Sequence, residues 1–205
     1  SDPAARNALA TGAIAKALKH KPKPFMHPDQ AALVRPGNLE DDLDQLSEAD
    51  WVIEAIIENL DIKRNLYARI TPHLAPHAAL TSNTSGIPLD DLTQDMSADL
   101  KSRFFITHFF NPPRYLRLLE VVPGPESNIS LVEGIAQFCQ NRLGKGIVRA
   151  KDTPSFIANR IGVFGMAVAL QMLESGYSVA EIDAVAGQPT GRPKSAAFRT
   201  ADVVG

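Results

Sequence analysis

Short apolar runs alternate with longer amphipathic segments through the first 150 residues of the chain. Each run has the length of a β-strand and ends at a polar turn, a proline or a glycine, which predicts strands. The predicted strands cover residues 31–35, 51–57, 78–81, 103–109, 116–122 and 146–150. The run at 51–57 is apolar almost without interruption, which predicts a strand that is buried on both faces.

Helical segments are predicted around these strands, at residues 4–18, 40–46, 62–71 and 130–141. Asp61 is a suitable N-cap for the third of these helices. The alternation of strands and helices is typical of an α/β fold built on a parallel sheet, and it leaves room for antiparallel strands.

The pattern changes after Pro154, where apolar helical segments replace the strands. The predicted helices cover residues 156–173, 179–186 and 195–204. We therefore place a domain boundary near Asp152, with an α/β domain over 1–151 and an all-α domain over 152–205. Three helices with this much apolar surface need further structure to cover it, so we expect the all-α domain to be incomplete.

Composition narrows the function classes. With 21 Lys and Arg against 23 Asp and Glu, the net charge is −2, and no broad field attracts nucleic acid or an anionic membrane. One cysteine, Cys139, excludes an internal disulfide framework and a cysteine-built zinc site. No apolar run approaches the ~20 residues of a membrane helix. No signal or transit segment is recognisable, so we expect a cytoplasmic protein.

His108 lies at the end of one predicted strand and Glu120 in the middle of the next. An imidazole beside a loop can act as a general base near neutral pH. Since a carboxylate is rarely buried without a partner, Glu120 can hold the imidazole if the two strands are neighbours. The alternatives are a core histidine with both nitrogens bonded, and a Glu120 that faces solvent or pairs with Arg114 or Arg117.

Polar residues follow two further predicted strands: the loop 82–86, with Ser85, and the pair Glu58 and Lys63. Loops at the carboxyl ends of parallel strands line the ligand crevice of an open α/β sheet. The alternatives are a helix cap for the loop, and a surface ion pair or a cap interaction for Glu58 and Lys63. Asn159, in the first turns of a predicted helix, either faces a ligand cleft or belongs to a solvated face.

Two other patterns carry no site. His73 and His77 have the spacing of a metal pair, but Pro76 lies between them and no third ligand is evident, so we predict no metal site. Residues 144–146 (GKG) resemble part of a phosphate loop but lack its ending, and Arg149 stands where a dinucleotide motif requires a small residue. We interpret them as the turn before the last strand.

Five segments resemble those of the L-3-hydroxyacyl-CoA dehydrogenase family in order and spacing. They read ADWVIEAIIENL (49–60), SNTS (82–85), THFFNPP (107–113), LEVV (119–122) and KDTPSFIANR (151–160). The resemblance extends from about Gly37 to Gly205, and residues 191–195 are most similar to long bacterial members that carry an added enoyl-CoA hydratase region.

The resemblance implies a Rossmann-type NAD-binding domain followed by a helical domain. It implies NAD-dependent oxidation of (S)-3-hydroxyacyl-CoA to 3-oxoacyl-CoA in fatty-acid β-oxidation. His108 then corresponds to the general base and Glu120 to its orienting partner. Ser85 corresponds to a contact to the substrate oxygen and the cofactor, and Asn159 to a residue that holds the acyl part of the substrate.

The resemblance also implies binding residues. The cofactor-binding set comprises Ile56 and Ile57 through their backbone, Glu58, Lys63, Ser85 and Asn111. Basic residues early in the chain meet the coenzyme A phosphates in this family, which makes Lys21 and Lys23 the substrate-binding candidates. Family members commonly form homo-oligomers through the helical domain.

The sequence departs from the family pattern in one respect. It contains no Gly-x-Gly-x-x-Gly turn, which we expect to precede Ser1 together with the first βαβ segment. We therefore expect residues 1–205 alone to bind NAD poorly. The alternatives to the acyl-CoA activity are a dehydrogenase of the same superfamily that acts on a small hydroxy acid or sugar acid, and a catalytically silent structural module.

Overall fold

A computed structural model describes residues 3–192 and 194–204. The chain divides after Arg149 into two compact units. Pro193, part of the segment 191–195 that resembles long bacterial proteins, lies outside the described residues.

The first unit is built on a five-stranded mixed sheet in the order β1-β2-β3-β4-β5. The strands are β1 Trp51–Glu54, β2 Ala79–Ser82, β3 Phe104–Phe109, β4 Leu118–Pro123 and β5 Gly146–Arg149. The first three strands are parallel, β4 is antiparallel to β3, and β5 is parallel to β4. The carboxyl ends of the three parallel strands therefore meet at one edge of the sheet.

Nine α-helices are assigned within the described residues. The first unit has α1 Pro3–Arg6, α2 Ala8–Lys19, α3 Leu60–Ile70, α4 Leu89–Thr93, α5 Ala98–Ser102 and α6 Ile129–Leu143. The second unit has α7 Ala158–Glu174, α8 Val179–Val185 and α9 Phe198–Val204. Short 3₁₀ helices cover Pro28–Leu33, Leu43–Glu48, Thr71–His73 and Gln188–Thr190.

The predicted α/β architecture and the change to helices after Pro154 are confirmed, but the strand at 31–35 is wrong. Those residues belong largely to the 3₁₀ helix Pro28–Leu33. The His27 side chain accepts from the third residue of this helix and the Gln30 side chain accepts from the His27 backbone, which forms a capping box. Local capping therefore prevails over the apolar pattern. The acidic helix predicted at 40–46 is likewise a 3₁₀ helix, Leu43–Glu48.

Strand β1 is shorter and more exposed than its sequence predicts. It ends at Glu54, and Ile53 is 43% exposed. Among the described residues β1 pairs with β2 alone, so it lies at the end of the strand order rather than between two neighbours. The cap of α3 also differs, because the Asn59 side chain, not that of Asp61, accepts the backbone N–H of Ile62 at 3.1 Å.

Helices cover both faces of the sheet. One core cluster joins Phe105 of β3 and Leu119 and Val121 of β4 to Val132 and Cys139 of α6. On the opposite face, the ring of Tyr67 in α3 meets the edge of Phe104 with centroids 5.3 Å apart. Because side chains alternate along a strand, His108 lies on the same face as Phe104, opposite α6.

The second unit has a small core of Ala169, Ile182 and Ala197 between its three helices. The side chains of Ile161, Val163 and Phe164 on α7 remain exposed. No helix in the described ranges has the length and apolar character that crossing a membrane requires.

We predict that the middle of the sheet dominates the stability of the first unit. Leu80 is fully buried on the central part of β2, so Leu80→Ala should lower the free energy of unfolding by about 2–5 kcal/mol in urea titrations. Leu33→Ala is the matched control, because Leu33 is exposed and its truncation should change the unfolding free energy by less than ~0.5 kcal/mol. Equal effects of the two substitutions would contradict this placement of the core.

Candidate active site

Three loops follow the parallel strands at the carboxyl edge of the sheet. They connect β1 to α3, β2 to α4 and β3 to β4. In open α/β sheets this edge is where ligands bind. Most of the residues that the sequence singles out lie in these loops or at the strand ends that carry them.

His108 and Glu120 form a buried pair across the antiparallel strands β3 and β4. They are direct register partners, and His108 Nδ1 lies 2.8 Å from Glu120 Oε2. His108 is 4% exposed and Glu120 is 1% exposed. Since an ionised carboxylate only accepts hydrogen bonds, Nδ1 carries the proton between them. The geometry fixes both the tautomer and the orientation of the ring.

The competing arrangement for Glu120 is not found. Arg114 instead donates to the carbonyl oxygens of Lys23 and Phe25, at 2.7 Å each. Arg117 donates to the carbonyl oxygen of Gly144 at 3.4 Å. Both arginines therefore bind backbone carbonyl oxygens, while Glu120 is paired with His108.

The Glu58 carboxylate holds the loop after β2. Its Oε1 accepts the Thr84 hydroxyl at 2.6 Å, the Ser85 N–H at 2.8 Å and the Gly86 N–H at 3.3 Å. Partial burial acts to raise the pKa of Glu58, but these bonds and the nearby Lys63 ammonium outweigh it and lower that pKa. The Ser85 residue itself is exposed at the edge of the sheet.

A buried carboxylate, Glu54, lies directly beneath Glu58. Glu54 Oε1 accepts Lys63 Nζ and the Ile56 N–H at 2.7 Å each. Its Oε2 accepts the Tyr67 hydroxyl at 2.7 Å and the Ser82 hydroxyl at 2.6 Å. Burial acts to raise the pKa of Glu54, and the donors more than offset it, so the pKa is lowered.

Lys63 lies inside this cluster rather than at the surface. It is 1% exposed, and its Nζ lies 3.4 Å from Glu58 Oε2 as well as 2.7 Å from Glu54. The sequence interpretation of Lys63 did not foresee Glu54. The signal was present, because a carboxylate in an apolar strand run is the same signal that singled out Glu120.

Asn83 connects the loops after β2 and β3. Its backbone N–H donates to the Glu54 carbonyl at 2.7 Å, and its side-chain Oδ1 accepts the Phe109 N–H at 2.8 Å. The loop that carries Ser85 is thereby tied to the residue after His108. The structure thus brings the predicted base and the Ser82–Gly86 loop to one edge.

The remaining candidates lie around or apart from this edge. Ile56, Ile57 and Asn111 are exposed in the loops after β1 and β3. Lys21 and Lys23 are exposed on a segment whose Lys23 carbonyl accepts the Tyr115 hydroxyl at 2.9 Å. A groove of about 500 Å³ lies between this segment and residues 111–115. Asn159 is half-buried in the first turn of α7, in the second unit.

Residues 144–146 form the turn before β5, as the sequence predicts. Gly144 ends α6 with φ at 67°, in the left-handed region that favours glycine. Lys145 is buried; its Nζ donates to the carbonyl oxygens of Pro113 and Leu116. Burial lowers the pKa of Lys145. The turn therefore supports the loop between β3 and β4.

His73 and His77 pair with separate carboxylates. His73 Nδ1 lies 2.8 Å from Asp44 and His77 Nε2 lies 3.0 Å from Asp50. In the described part of the chain, no three His, Cys, Asp or Glu side chains cluster as metal ligands do.

Comparison with known families gives two consecutive matches. Residues 3–153 match the NAD binding domain of 3-hydroxyacyl-CoA dehydrogenase, and residues 156–205 match the C-terminal domain of the same enzyme family.

Two curated relatives are both described as a probable 3-hydroxyacyl-CoA dehydrogenase. The one from Bacillus subtilis is 48% identical over 201 residues, which cover 98% of this chain and 26% of the relative. The one from Deinococcus radiodurans is 47% identical over 201 residues, which cover 98% of this chain and 58% of the relative. The chain therefore spans between a quarter and three fifths of the length of these relatives.

The fold is also similar to that of a solved structure. The crystal structure of Mycobacterium tuberculosis FadB2 superposes with a TM-score of 0.81 at 27% sequence identity. The superposition covers 99% of this chain and 70% of that one.

The lowered pKa of Glu58 predicts a contribution to acid stability. A carboxylate whose folded pKa lies below its ordinary value of 4.5 stabilises the fold above that value, and the contribution disappears as pH falls through the folded pKa. Urea titrations at pH 7 and pH 3.5 should therefore show a smaller loss of stability on acidification for Glu58→Gln than for the wild type. Thr84→Ala, which removes one donor, should give an intermediate loss. An identical loss in all three proteins would contradict the assignment.

Proposed function

The chain belongs to the 3-hydroxyacyl-CoA dehydrogenase family, and we propose that it carries the catalytic centre of an NAD-dependent oxidation of (S)-3-hydroxyacyl-CoA to 3-oxoacyl-CoA. The buried His108–Glu120 pair at the ligand-binding edge of the sheet is the observation that carries the proposal. The place of the reaction is fatty-acid β-oxidation. The first unit acts as the NAD-binding domain, and the second belongs to the helical domain.

His108 acts as the general base. It takes the proton of the 3-hydroxyl group as the C3–H bond breaks and the C=O bond forms. Since Nδ1–H is held by Glu120, the proton exchanged with the substrate is carried on Nε2. The Glu120 carboxylate then stabilises the imidazolium that results. In the reverse direction the imidazolium returns the proton to the developing alkoxide.

The residues at the edge fit the polar part of NAD. Glu58 offers a half-exposed carboxylate as acceptor, and Ser85 and Asn111 offer an exposed hydroxyl and an exposed amide. The backbone of Ile56 and Ile57 adds further polar groups in the same loop. Lys63 acts through Glu58, because its ammonium is enclosed between two carboxylates. NAD, when bound, supplies the acceptor for the hydride that leaves C3.

Three kinds of group are assigned to contacts with the acyl-CoA substrate. Ser85 contacts the 3-oxygen, and Asn159 of the second unit belongs to the set that holds the acyl part. Lys21 and Lys23 meet the coenzyme A phosphates, and their segment is anchored to the loop between β3 and β4 by Arg114 and the Tyr115 hydroxyl.

The helical unit mediates contact between copies of the protein. Its α7 helix exposes Ile161, Val163 and Phe164, which form an apolar surface on one stretch of helix. Burial of such a surface drives association.

Substitution of the base should affect turnover more than binding. His108→Gln should lower kcat by about 10²–10⁴-fold with little change in KM for 3-hydroxybutyryl-CoA, because it removes a proton-transfer role. His77→Gln is the matched control, since His77 is exposed and pairs with Asp50 far from the site. An unchanged kcat in His108→Gln would refute the assignment of the base.

Replacement of Lys21 and Lys23 tests which class of substrate the protein binds. If Lys21 and Lys23 meet coenzyme A phosphates, replacing both with Ala should raise KM for 3-hydroxybutyryl-CoA about 5–30-fold at low salt. Free 3-hydroxybutyrate should turn over far more slowly and without dependence on these lysines. Lys16→Ala in α2 is the control for the loss of an exposed basic residue. Equal turnover of the free acid would instead support an enzyme of small hydroxy acids.

A further inference from the structure

The Glu54 side chain lies beneath the groups to which NAD binding is assigned, yet it has no exposed surface with which to contact a ligand. The side chain is fully buried, and both of its oxygens are occupied by donors. Those donors come from the loop after β1, from two successive turns of α3 and from the end of β2. One buried carboxylate therefore joins three elements at the edge of the sheet.

Lys63 connects Glu54 to Glu58 because it forms an ion pair with each of them. The ammonium lies between the two carboxylates, 2.7 Å from Glu54 and 3.4 Å from Glu58. A buried ammonium requires compensating negative charge, so it is held between these two carboxylates, and it also donates to the Ile56 carbonyl at 3.4 Å. The Glu58 oxygen that does not face Lys63 is the one that accepts the N–H groups of Ser85 and Gly86.

We propose that Glu54 is a positioning residue for cofactor binding, which holds Glu58 against the Ser85 and Gly86 amides through Lys63 and holds the end of β2 through Ser82. The inference rests on the proposed function, because it takes Glu58 and Ser85 as cofactor contacts. When the charge of Glu54 is removed, Lys63 pairs with Glu58 alone and draws its carboxylate away from the two amides.

The position of the base depends on a different group of the same residue. The backbone carbonyl of Glu54 accepts the Asn83 N–H, and the Asn83 side chain accepts the Phe109 N–H next to His108. Replacement of the Glu54 side chain leaves this backbone bond in place. The His108–Glu120 pair is fixed by the register of β3 and β4, without Glu54. Loss of the Glu54 charge should therefore affect cofactor binding and spare proton transfer.

Amide hydrogen exchange of the ligand-free chain tests the positioning role directly. In Glu54→Gln the N–H groups of Ser85 and Gly86 should exchange about tenfold faster or more than in the wild type, because they lose a bond to a charged acceptor. The Phe109 N–H should exchange within about twofold of the wild-type rate, as its bond to Asn83 is retained. Glu133→Gln, which removes a half-exposed carboxylate that pairs with Arg149 on the α6 side of the sheet, should change none of these rates.

A double-mutant cycle with Lys63→Met shows whether Glu54 acts through Lys63. The Glu54→Gln/Lys63→Met protein should have Ser85 and Gly86 exchange rates within about twofold of Lys63→Met alone, since the second change removes nothing further. This double variant also leaves no unpaired buried charge, so it keeps the test available if Glu54→Gln does not fold.

Steady-state kinetics provides the functional measurement. KM for NAD should rise about tenfold in Glu54→Gln, with kcat at saturating NAD within about twofold of the wild type. Wild-type exchange rates at Ser85 and Gly86 in the folded variant would overturn the proposal, as would an equal fall in kcat and kcat/KM. An unchanged kcat in His108→Gln would count against the proposed function alone, because the exchange rates decide the positioning role of Glu54 without any ligand.

Discussion

The free-energy cost of burying a negative charge determines how side chains and loops are arranged at the carboxyl edge of the sheet. An isolated carboxylate loses far more free energy on leaving water than the entire margin by which a domain is stable. Three carboxylates lie at this edge: Glu54 and Glu58 accept donors from several elements, and Glu120 is paired with His108 on the neighbouring strand. The loops must bring hydrogen-bond donors to these carboxylates, and this requirement aligns the loops. The order of the site therefore follows from the need to replace the lost hydration of the charges, and not from apolar packing alone.

The sequence predicted the α/β architecture and singled out His108 and Glu120, because apolar runs and the polar residues inside them can be recognised along the chain. Apolar runs of strand length mark the buried strands. A polar residue inside such a run is informative wherever a partner of suitable chemistry lies on the neighbouring strand. The open question was whether β3 and β4 are neighbours, and only the antiparallel register answers it.

The sequence was insufficient where local and long-range effects compete. His27 and Gln30 cap a 3₁₀ helix in a stretch whose apolar spacing indicates a strand. Glu54 stands in an apolar run as Glu120 does, but its partners are spread over residues 56–82, and spacing along the chain does not reveal that they converge on it. The burial of Lys63 is likewise a property of the assembled edge: the same lysine on an isolated helix would be solvated.

Lys145 gives the loop between β3 and β4 an unusual support. Its ammonium reaches the carbonyl oxygens of both Pro113 and Leu116 from a turn on the far side of β4, and it also lies 5.4 Å above the ring of Phe109. One lysine side chain therefore binds both carbonyls, which fixes the distance between them. An insertion between residues 113 and 116 would move one of these carbonyls out of reach of that side chain, so the length of this segment is constrained more strongly than the identity of its side chains.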